Sequence, residues 1–208
     1  ATNMFAPLDK NRIPHKVLLD YGFEYTNLKA YNGTLSDSTV VDVPTLKHIY
    51  NTIFSSRVTS ATTGFINPNN FDSNWKNRTA GTITVSGLYY KYNAFINDAI
   101  NLGKVNFVNN QFQDKFVSGV WQNPYQEFQA FAMAPAISKY EGLSFTVKIP
   151  STIFYSNYQS LVQSIQIDFG NGAGYVTVPF NQNVTISYAT EGVKTWKYKL
   201  NLTNGTSL

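Results

Sequence analysis

The feature that most constrains this chain is a series of short runs, separated by turn signals, in which apolar and polar residues alternate over the last third of the sequence. The runs cover residues 143–149, 164–169, 175–178, 184–188 and 193–202. A period of two places every second side chain on the same face of a strand. Because regularly spaced short strands are typical of a sandwich, we predict a β-sandwich domain over residues 136–208.

The first 135 residues show a different pattern, with β-rich runs and one amphipathic helix. Pro44 marks the start of that helix, because a proline in the first turn sacrifices no hydrogen bond. Apolar side chains recur at helical spacing over 45–58, namely Leu46, Ile49, Tyr50, Ile53 and Phe54. Strands are predicted over 17–23, 39–43, 81–92, 105–108, 115–121 and 128–133. The sequence therefore predicts a β-rich N-terminal domain over residues 1–135, followed by the sandwich.

One motif in the sandwich region combines an acidic turn with glycines and aromatic anchors. Asp168-Phe169-Gly170-Asn171-Gly172 ends a predicted strand and is followed by Tyr188, Gly192 and a last alternating strand. The Asp168 carboxylate can accept hydrogen bonds from backbone N–H groups of its own turn. Gly170 and Gly172 tolerate positive φ, and Gly192 turns the chain into the last strand. Phe169 and Tyr188 are expected to anchor the interior of the sandwich.

This ordering resembles the PKD family of immunoglobulin-like β-sandwich domains over residues 137–203. Ile167, Asn171 and Ile186 depart from the family pattern, which has Trp, Asp and His at the matching positions. The resemblance implies a non-catalytic spacer, adhesive unit or carbohydrate-associated accessory on a secreted protein. Residues 13–22, which read Ile-Pro-His-Lys-Val-Leu-Leu-Asp-Tyr-Gly, are similar in style to exported surface proteins of the Bacteroidetes. Both resemblances imply an extracellular, cell-surface location.

Charge and composition exclude several classes of function. Charged residues make up 13% of the chain, against a typical share of about 25%. The net charge of +4 is carried by scattered Lys and Arg residues, without the clusters that nucleic-acid binding requires. The chain has no cysteine, so disulfides and thiolate metal sites are excluded. It also has no apolar run of about 18 residues, and no membrane span is expected.

The inventory of reactive side chains is equally thin. The two histidines, His15 and His48, have no second histidine at a metal-ligand spacing. Asp20 and Glu24 are the one suggestive acidic pair, and surface solvation is their expected role. Asp168 and Asn171 supply too few oxygens for a calcium site. We therefore predict no catalytic residue, no metal and no cofactor.

Aromatic residues are the remaining candidates for binding. Stacking on sugar rings is a candidate role for Trp75, Tyr89, Tyr90, Trp121, Tyr125 and Trp196. Tyr89 and Tyr90 are neighbours in a predicted strand, so their side chains point to opposite faces and one of them is expected to be exposed. Near the end of the chain, Asn204-Gly205 predicts a hairpin turn that starts a further strand, as expected in a piece of a longer protein.

Together these features predict a non-catalytic extracellular structural or adhesive module of a bacterial surface protein. The expected partners are other proteins or copies of itself, engaged by edge-strand pairing. The alternative is a carbohydrate-binding accessory module of a secreted enzyme, for which polysaccharide is the partner. An enzyme with an unrecognised hydrolase site is the third hypothesis, and the thin inventory of reactive groups disfavours it.

Overall fold

The computed structural model describes residues 4–21, 29–75 and 79–208. The structure is mostly β, with 37% of the described residues in strands and 18% in helices. The predicted β-rich class is therefore confirmed. In the part of the chain that the structure describes, there is no helix long and apolar enough to cross a membrane.

Two α-helices are found among the described residues. Helix α1 spans Val43–Ser55 and helix α2 spans Phe71–Trp75. The predicted apolar stripe of α1 is largely buried. The backbone N–H of Thr45 donates to the Asp42 carboxylate at 2.8 Å, so Asp42 caps the helix. Hydrogen bonds from the hydroxyl and the N–H of Thr45 lower the pKa of Asp42.

Helix α1 ends three residues before its predicted end, because the chain becomes extended there. The Ser56 hydroxyl donates to the carbonyl of Thr52 at 2.8 Å. Arg57 then forms an isolated β-bridge with Val17, and the Val58 N–H donates to the carbonyl of Lys16 at 3.0 Å. These backbone pairs compete with continuation of the helix.

Within the ranges that the structure describes, twelve strands follow the helices. They are β1 Thr82–Phe95, β2 Val105–Val108, β3 Gln111–Asp114, β4 Phe116–Val117, β5 Val120–Trp121, β6 Tyr125–Pro135, β7 Ser144–Lys148, β8 Phe154–Ser156, β9 Val162–Asp168, β10 Tyr175–Thr177, β11 Asn183–Ser187 and β12 Lys197–Leu202. Each of the five runs predicted over 143–202 overlaps one of these strands, and β8 was not predicted. The predicted strands over 81–92, 105–108 and 128–133 are also present.

The largest sheet has five strands in the order β11-β7-β1-β6, and β8 also pairs with β1. Strand β1 runs parallel to β7 and β8, with Thr82 opposite Thr146 on β7 and Gly87 opposite Phe154 on β8. A side chain at Gly87 would place its Cβ only 2.7 Å from Cγ of Met133. Close packing against Met133 therefore requires a glycine in the middle of this strand.

A second sheet has the order β10-β9-β12, with antiparallel pairing throughout. Its inward residues share one core with the large sheet. The fully buried members of this core include Val147, Ile149, Ile167, Phe169 and Leu200. The pairing of Leu200 with Leu208 extends the second sheet, and the predicted hairpin at Asn204-Gly205 is confirmed.

The chain groups into two compact units made of interleaved segments. The first unit comprises Ala1–Glu24, Thr52–Thr63 and Lys91–Gln129. The second comprises Tyr25–Asn51, Gly64–Tyr90 and Ala130–Leu208. The first unit has small apolar clusters around Ile13 and Leu18 and around Leu8 and Val105, whereas the second contains the large core. The division into domains 1–135 and 136–208 remains a prediction.

Several predicted strands in the N-terminal region are wrong. In the segment 17–23, Val17 and Leu18 form only isolated bridges, residues 19–21 form a 3-10 turn, and residues 22 and 23 lie outside the described part. The segment 39–43 is not a strand, since it leaves a turn and enters α1. The segment 115–121 folds back on itself as the hairpin β4–β5. Positive φ at Ser118 (49°) and Gly119 (78°) is the physical reason.

Candidate functional site

The predicted acidic turn is tied together by its own side chains. Asp168 ends strand β9, and its Oδ1 accepts a hydrogen bond from the Gly170 N–H at 3.0 Å. Gly170 has φ of +67°, and a Cβ there would lie 3.0 Å from the carbonyl oxygen of Thr195. The position therefore favours glycine both for its backbone conformation and for the close approach of the neighbouring chain.

The next residues extend this turn and connect it to strand β11. Asn171 Oδ1 accepts from the Ala173 N–H at 3.1 Å, and its Nδ2 donates to the carbonyl of Ser187 at 3.4 Å. Gly172 has φ of +90°, and no described atom lies within 4 Å of the position that a Cβ would take there. The two Asx-type bonds of Asp168 and Asn171 thus fix consecutive parts of one loop.

An aromatic lock holds the loop against the core. We define this lock as Phe169, Tyr188 and Trp196. The Phe169 ring is fully buried and meets the Trp196 ring edge-on at 4.9 Å. The Tyr188 hydroxyl donates to the carbonyl of Phe169 at 2.7 Å and accepts from Nε1 of Trp196 at 2.7 Å. Burial, with a smaller effect from the Asp168 charge, raises the pKa of Tyr188.

The motif residues therefore meet in one structural cluster, with one exception. The structure brings together Asp168, Phe169, Gly170, Asn171, Gly172 and Tyr188. Gly192 has φ of +116° and serves a turn, but no described atom comes within 4 Å of its Cβ position. The sequence pattern did not identify Trp196 as a member of the lock. Its signal was present, because Trp196 is followed at every second position by partly buried Tyr198 and fully buried Leu200.

The acidic and histidine candidates have structural roles. Asp20 Oδ2 accepts from the Phe95 N–H at 2.7 Å, and burial raises the pKa of Asp20. Its predicted companion Glu24 lies outside the described residues. His15 Nε2 lies 2.6 Å from Glu127 Oε2, and Lys91 Nζ lies 2.9 Å from Glu127 Oε1. Burial raises the pKa of Glu127, but hydrogen bonds from Lys91 and His15 outweigh it and lower the pKa overall.

The described part of the chain contains no group of three His, Cys, Asp or Glu residues that could hold a metal ion. Oδ1 of Asp168 and Oδ1 of Asn171 each accept a hydrogen bond from a backbone N–H group of the loop. His48 lies on an exposed position of α1.

Most of the aromatic candidates for sugar stacking are buried. Trp75, Tyr89, Tyr90 and Tyr125 belong to the interior of the protein. The expectation that Tyr89 or Tyr90 would be exposed is wrong, because both faces of β1 are covered. Tyr89 lies in the large core, and Tyr90 stacks on Phe65 at 4.7 Å. Trp121 and Trp196 are partly buried and form hydrogen bonds to protein groups.

The first unit presents a surface that the sequence pattern did not reveal. We call it the hairpin surface and define it as Phe107, Val108, Phe116, Val117 and Val120. Their exposed fractions are 42%, 46%, 50%, 51% and 64%, respectively. They sit beside the tight turns of two successive hairpins, β2–β3 and β4–β5. Asn109 and Asn110 form the first turn with φ of 51° and 59°.

The two hairpins are anchored firmly at their bases. The Phe112 ring, opposite Phe107 on β3, lies 4.8 Å from Phe95 and 5.4 Å from Phe5. Trp121 Nε1 donates to Asp114 Oδ1 at 2.8 Å, and Asp114 Oδ2 accepts from the Asp9 N–H at 2.7 Å. These ring contacts and hydrogen bonds fix the hairpins in place, and the apolar residues near their turns remain exposed.

A basic side chain covers one face of the second hairpin. The Arg12 guanidinium lies 5.1 Å from the Phe116 ring and 5.6 Å from the Trp121 ring. Phe116 and Trp121 are cross-strand partners, so their side chains share a face. The pair Val117 and Val120 occupies the other face and remains uncovered within the described unit. The Asn-Asn and Ser-Gly pairs were the sequence signals for these turns.

Comparison with known proteins gives no match: no family model, no curated protein and no solved structure is significantly similar to this chain. The site must therefore be interpreted from its own geometry.

Proposed function

We propose that this chain is a non-catalytic extracellular module with a structural or adhesive role, which binds other proteins, copies of itself included, through the hairpin surface. The observation that carries the proposal is the exposure of five large apolar side chains at the tips of two anchored hairpins. At ~150–200 Å² per large side chain, they expose on the order of 400 Å². This area is divided between two hairpins and between the two faces of the second one. The largest apolar patch of a typical soluble monomer measures about 300–600 Å² and is often functional, so a total exposed apolar area of this order supports a binding role.

The strands of the hairpins add a second means of association. β2–β3 and β4–β5 are each two-stranded sheets, so each strand has an edge that its hairpin partner does not pair. On β3 this edge is partly used, because the Phe112 N–H donates to the carbonyl of Met4 at 2.8 Å. Asp114 is the only charged residue in these four strands. Strand edges without charge or proline are templates for pairing with another chain. Edge pairing with burial of the tips would approach the ~800 Å² per partner of a standard protein interface.

The PKD-like identity of residues 137–203 and the location at a bacterial cell surface belong to this proposal. Support for the first comes from the loop of Asp168 and Asn171 and from its aromatic lock. In this proposal the second unit acts as a rigid spacer and the first unit carries the adhesive surface. The non-catalytic role is supported by the use of Asp20, Asp168 and Glu127 in structural hydrogen bonds.

The proposal is tested by light scattering on a concentration series of the whole chain. The wild type is expected to associate reversibly in the micromolar range, and the double variant Val117→Thr/Val120→Thr to weaken association at least tenfold. Threonine keeps the β-branched shape and strand preference of valine while it removes apolar surface. The control is Val193→Thr, because Val193 is 99% exposed but lies outside the hairpins. A wild type that stays a monodisperse monomer at every concentration would overturn self-association.

A further inference from the structure

The second sheet has an outward face that differs in chemistry from its inward face. Along β9, Ile165 and Ile167 point into the core, so the alternate residues Ser164, Gln166 and Asp168 point outward. The register places Tyr175 and Lys197 on either side of Asp168, and Thr177 and Lys199 on either side of Gln166. We call this surface the outer face and define it as Ser164, Gln166, Asp168, Tyr175, Thr177, Lys197, Lys199, Asn201 and Ser207. Every member carries a hydrogen-bonding group.

Side-chain amides and hydroxyls form a fixed row across this face. Asn201 Nδ2 donates to Ser164 Oγ at 3.0 Å and to Gln166 Oε1 at 3.2 Å. The Ser207 hydroxyl donates to Asn201 Oδ1 at 2.8 Å, and Gln166 Nε2 lies 3.5 Å from Thr177 Oγ1. The row crosses four neighbouring strand segments, a width of about 14 Å at ~4.8 Å per step.

The hydrogen bonds within the row leave some of its donors and acceptors unused. The hydroxyl protons of Ser164 and Thr177 are not committed by the bonds above, and each amide oxygen has a second lone pair. A row that mixes fixed donors and acceptors suits a ligand whose groups also both donate and accept. Sugar hydroxyls have this property, whereas an apolar or purely anionic ligand does not.

Two tyrosine–lysine pairs border the row. The Tyr175 ring is 39% exposed, and Lys199 Nζ lies 4.5 Å from its centroid. The Tyr31 ring is 42% exposed, and Lys197 Nζ lies 5.8 Å from its centroid. Each pair combines an apolar ring surface with an ammonium group. A sugar acid offers the matching combination, an apolar C–H face and a carboxylate.

Charge decides between neutral and acidic sugars. The outer face carries two lysines against the single carboxylate of Asp168, which lies 3.9 Å from Lys197 Nζ. The ammonium of Lys199 has no carboxylate partner among the ion pairs of the described residues. The face is therefore net positive, in a chain of net charge +4. An anionic chain of sugars complements this charge.

We propose that the outer face binds a polysaccharide built of uronic acids. Tyr175 packs against a sugar ring, Lys199 pairs with its carboxylate, and the row from Thr177 to Asn201 exchanges hydrogen bonds with the hydroxyls. Lys197 and Tyr31 provide a second, weaker position because Asp168 partly neutralises Lys197. The proposal goes beyond the adhesive function proposed above, since it uses a different unit of the chain and a different class of ligand.

The test is a titration of the whole chain with alginate, a polyuronate, and with dextran as the neutral comparison. Wild type is expected to bind alginate and not dextran. Tyr175→Ala and Lys199→Gln are each expected to weaken alginate binding at least tenfold. Tyr175→Phe, which keeps the ring, is expected to stay within about twofold. Circular dichroism checks that each variant is folded.

Two matched controls separate specific recognition from general attraction of charge. Lys139 is an exposed lysine of the same unit outside the outer face, and Lys139→Gln is expected to leave alginate binding unchanged. The double variant Val117→Thr/Val120→Thr is also expected to bind alginate like the wild type, so failure of the hairpin proposal would not be mistaken for failure here. Three results would each overturn the proposal: lack of alginate binding by the wild type, equal binding of dextran, or an equal loss in Lys139→Gln and Lys199→Gln.

Discussion

The turn after β9 and the turns of the two hairpins are built from the same kinds of residue, but the apolar side chains beside them are buried in the first case and exposed in the second. Both rely on Asn, Gly or Ser residues at positive φ. In the second unit, the residues beside the turn are drawn inward, and Phe169 is fully buried under Trp196. In the first unit, the residues beside the turns point outward, and Val117 and Val120 are more than half exposed.

The difference separates a turn whose apolar neighbours are buried and add to stability from the hairpin turns, whose apolar neighbours are exposed. Apolar side chains that are buried on folding contribute to stability in proportion to the area removed from water. Exposed ones contribute little until a partner covers them. The apolar area of the hairpin surface is exposed and adds little to the stability of the fold, whereas the apolar area of the aromatic lock is buried and contributes to it. Substitutions in the two regions should separate stability from association.

The largest expected effect comes from Phe169→Ala in the lock. Removal of a fully buried ring should lower the free energy of unfolding by about 3–5 kcal/mol. The matched substitution Phe116→Ala removes a half-exposed ring of the hairpin surface, and about 1 kcal/mol or less is expected. Chemical denaturation of both variants measures the difference. Equal losses at the two positions would refute the contrast between the regions.

A smaller effect is expected for Gly170→Ala. The alanine must adopt φ of +67° and also place its Cβ 3.0 Å from the Thr195 carbonyl oxygen. The left-handed backbone alone costs about 1–2 kcal/mol, so a total loss of ~2–3 kcal/mol is expected. Gly119→Ala in the β4–β5 turn has φ of +78° without a described atom within 4 Å of the Cβ. Gly119→Ala should therefore lower the free energy of unfolding only by the cost of the left-handed backbone. A loss as large as that of Gly170→Ala would show that the contact with Thr195 is unimportant.

Tyr188→Phe tests the hydrogen bonds of the lock. The carbonyl of Phe169 and Nε1 of Trp196 both lose their partner, and a cost of about 1–2 kcal/mol is expected at neutral pH. Burial first, and then the Asp168 charge, raise the pKa of Tyr188 in the folded state. Its contribution to stability is therefore complete below the unfolded pKa of about 10 and is lost as the pH rises through the folded pKa.

The pH dependence gives this variant a second readout. Between about pH 9 and 11 the unfolding free energy of the wild type should fall, and that of Tyr188→Phe should fall less steeply. Some slope should persist, because burial also raises the pKa of Tyr155 and Tyr198.

The sequence predicted those elements whose signals are local. Alternation and turn residues located five of the six strands between 143 and 202, without the short strand β8, and the helical stripe located α1 to within three residues. The Asp168 turn was also predictable, since its carboxylate and glycines act within the loop. These features depend on neighbours in the chain, which the sequence displays directly.

Features that depend on distant neighbours were missed. Alternation indicated that Tyr89 and Tyr90 lie on opposite faces of β1, but not that Phe65 covers the second face. The same limit hid the interleaving of the two units. The hairpins were missed for a different reason, because Ser118-Gly119 is a weaker turn signal than Asn-Gly and does not interrupt the predicted strand over 115–121. The apolar residues of the hairpin surface were consequently assigned to an ordinary strand.

The smallest expected change in stability comes from the variant that should most affect association. Val117 and Val120 face each other across the β4–β5 ladder and are both exposed, so Val117→Thr/Val120→Thr should change the unfolding free energy by less than about 0.5 kcal/mol. The same substitution at fully buried Val147 places a hydroxyl in the large core and should cost about 2 kcal/mol or more. Thermal denaturation at low protein concentration, where association is weak, provides the comparison. If the double variant loses as much stability as Val147→Thr, the hairpin surface is a packed part of the folded unit, and its proposed role in binding fails.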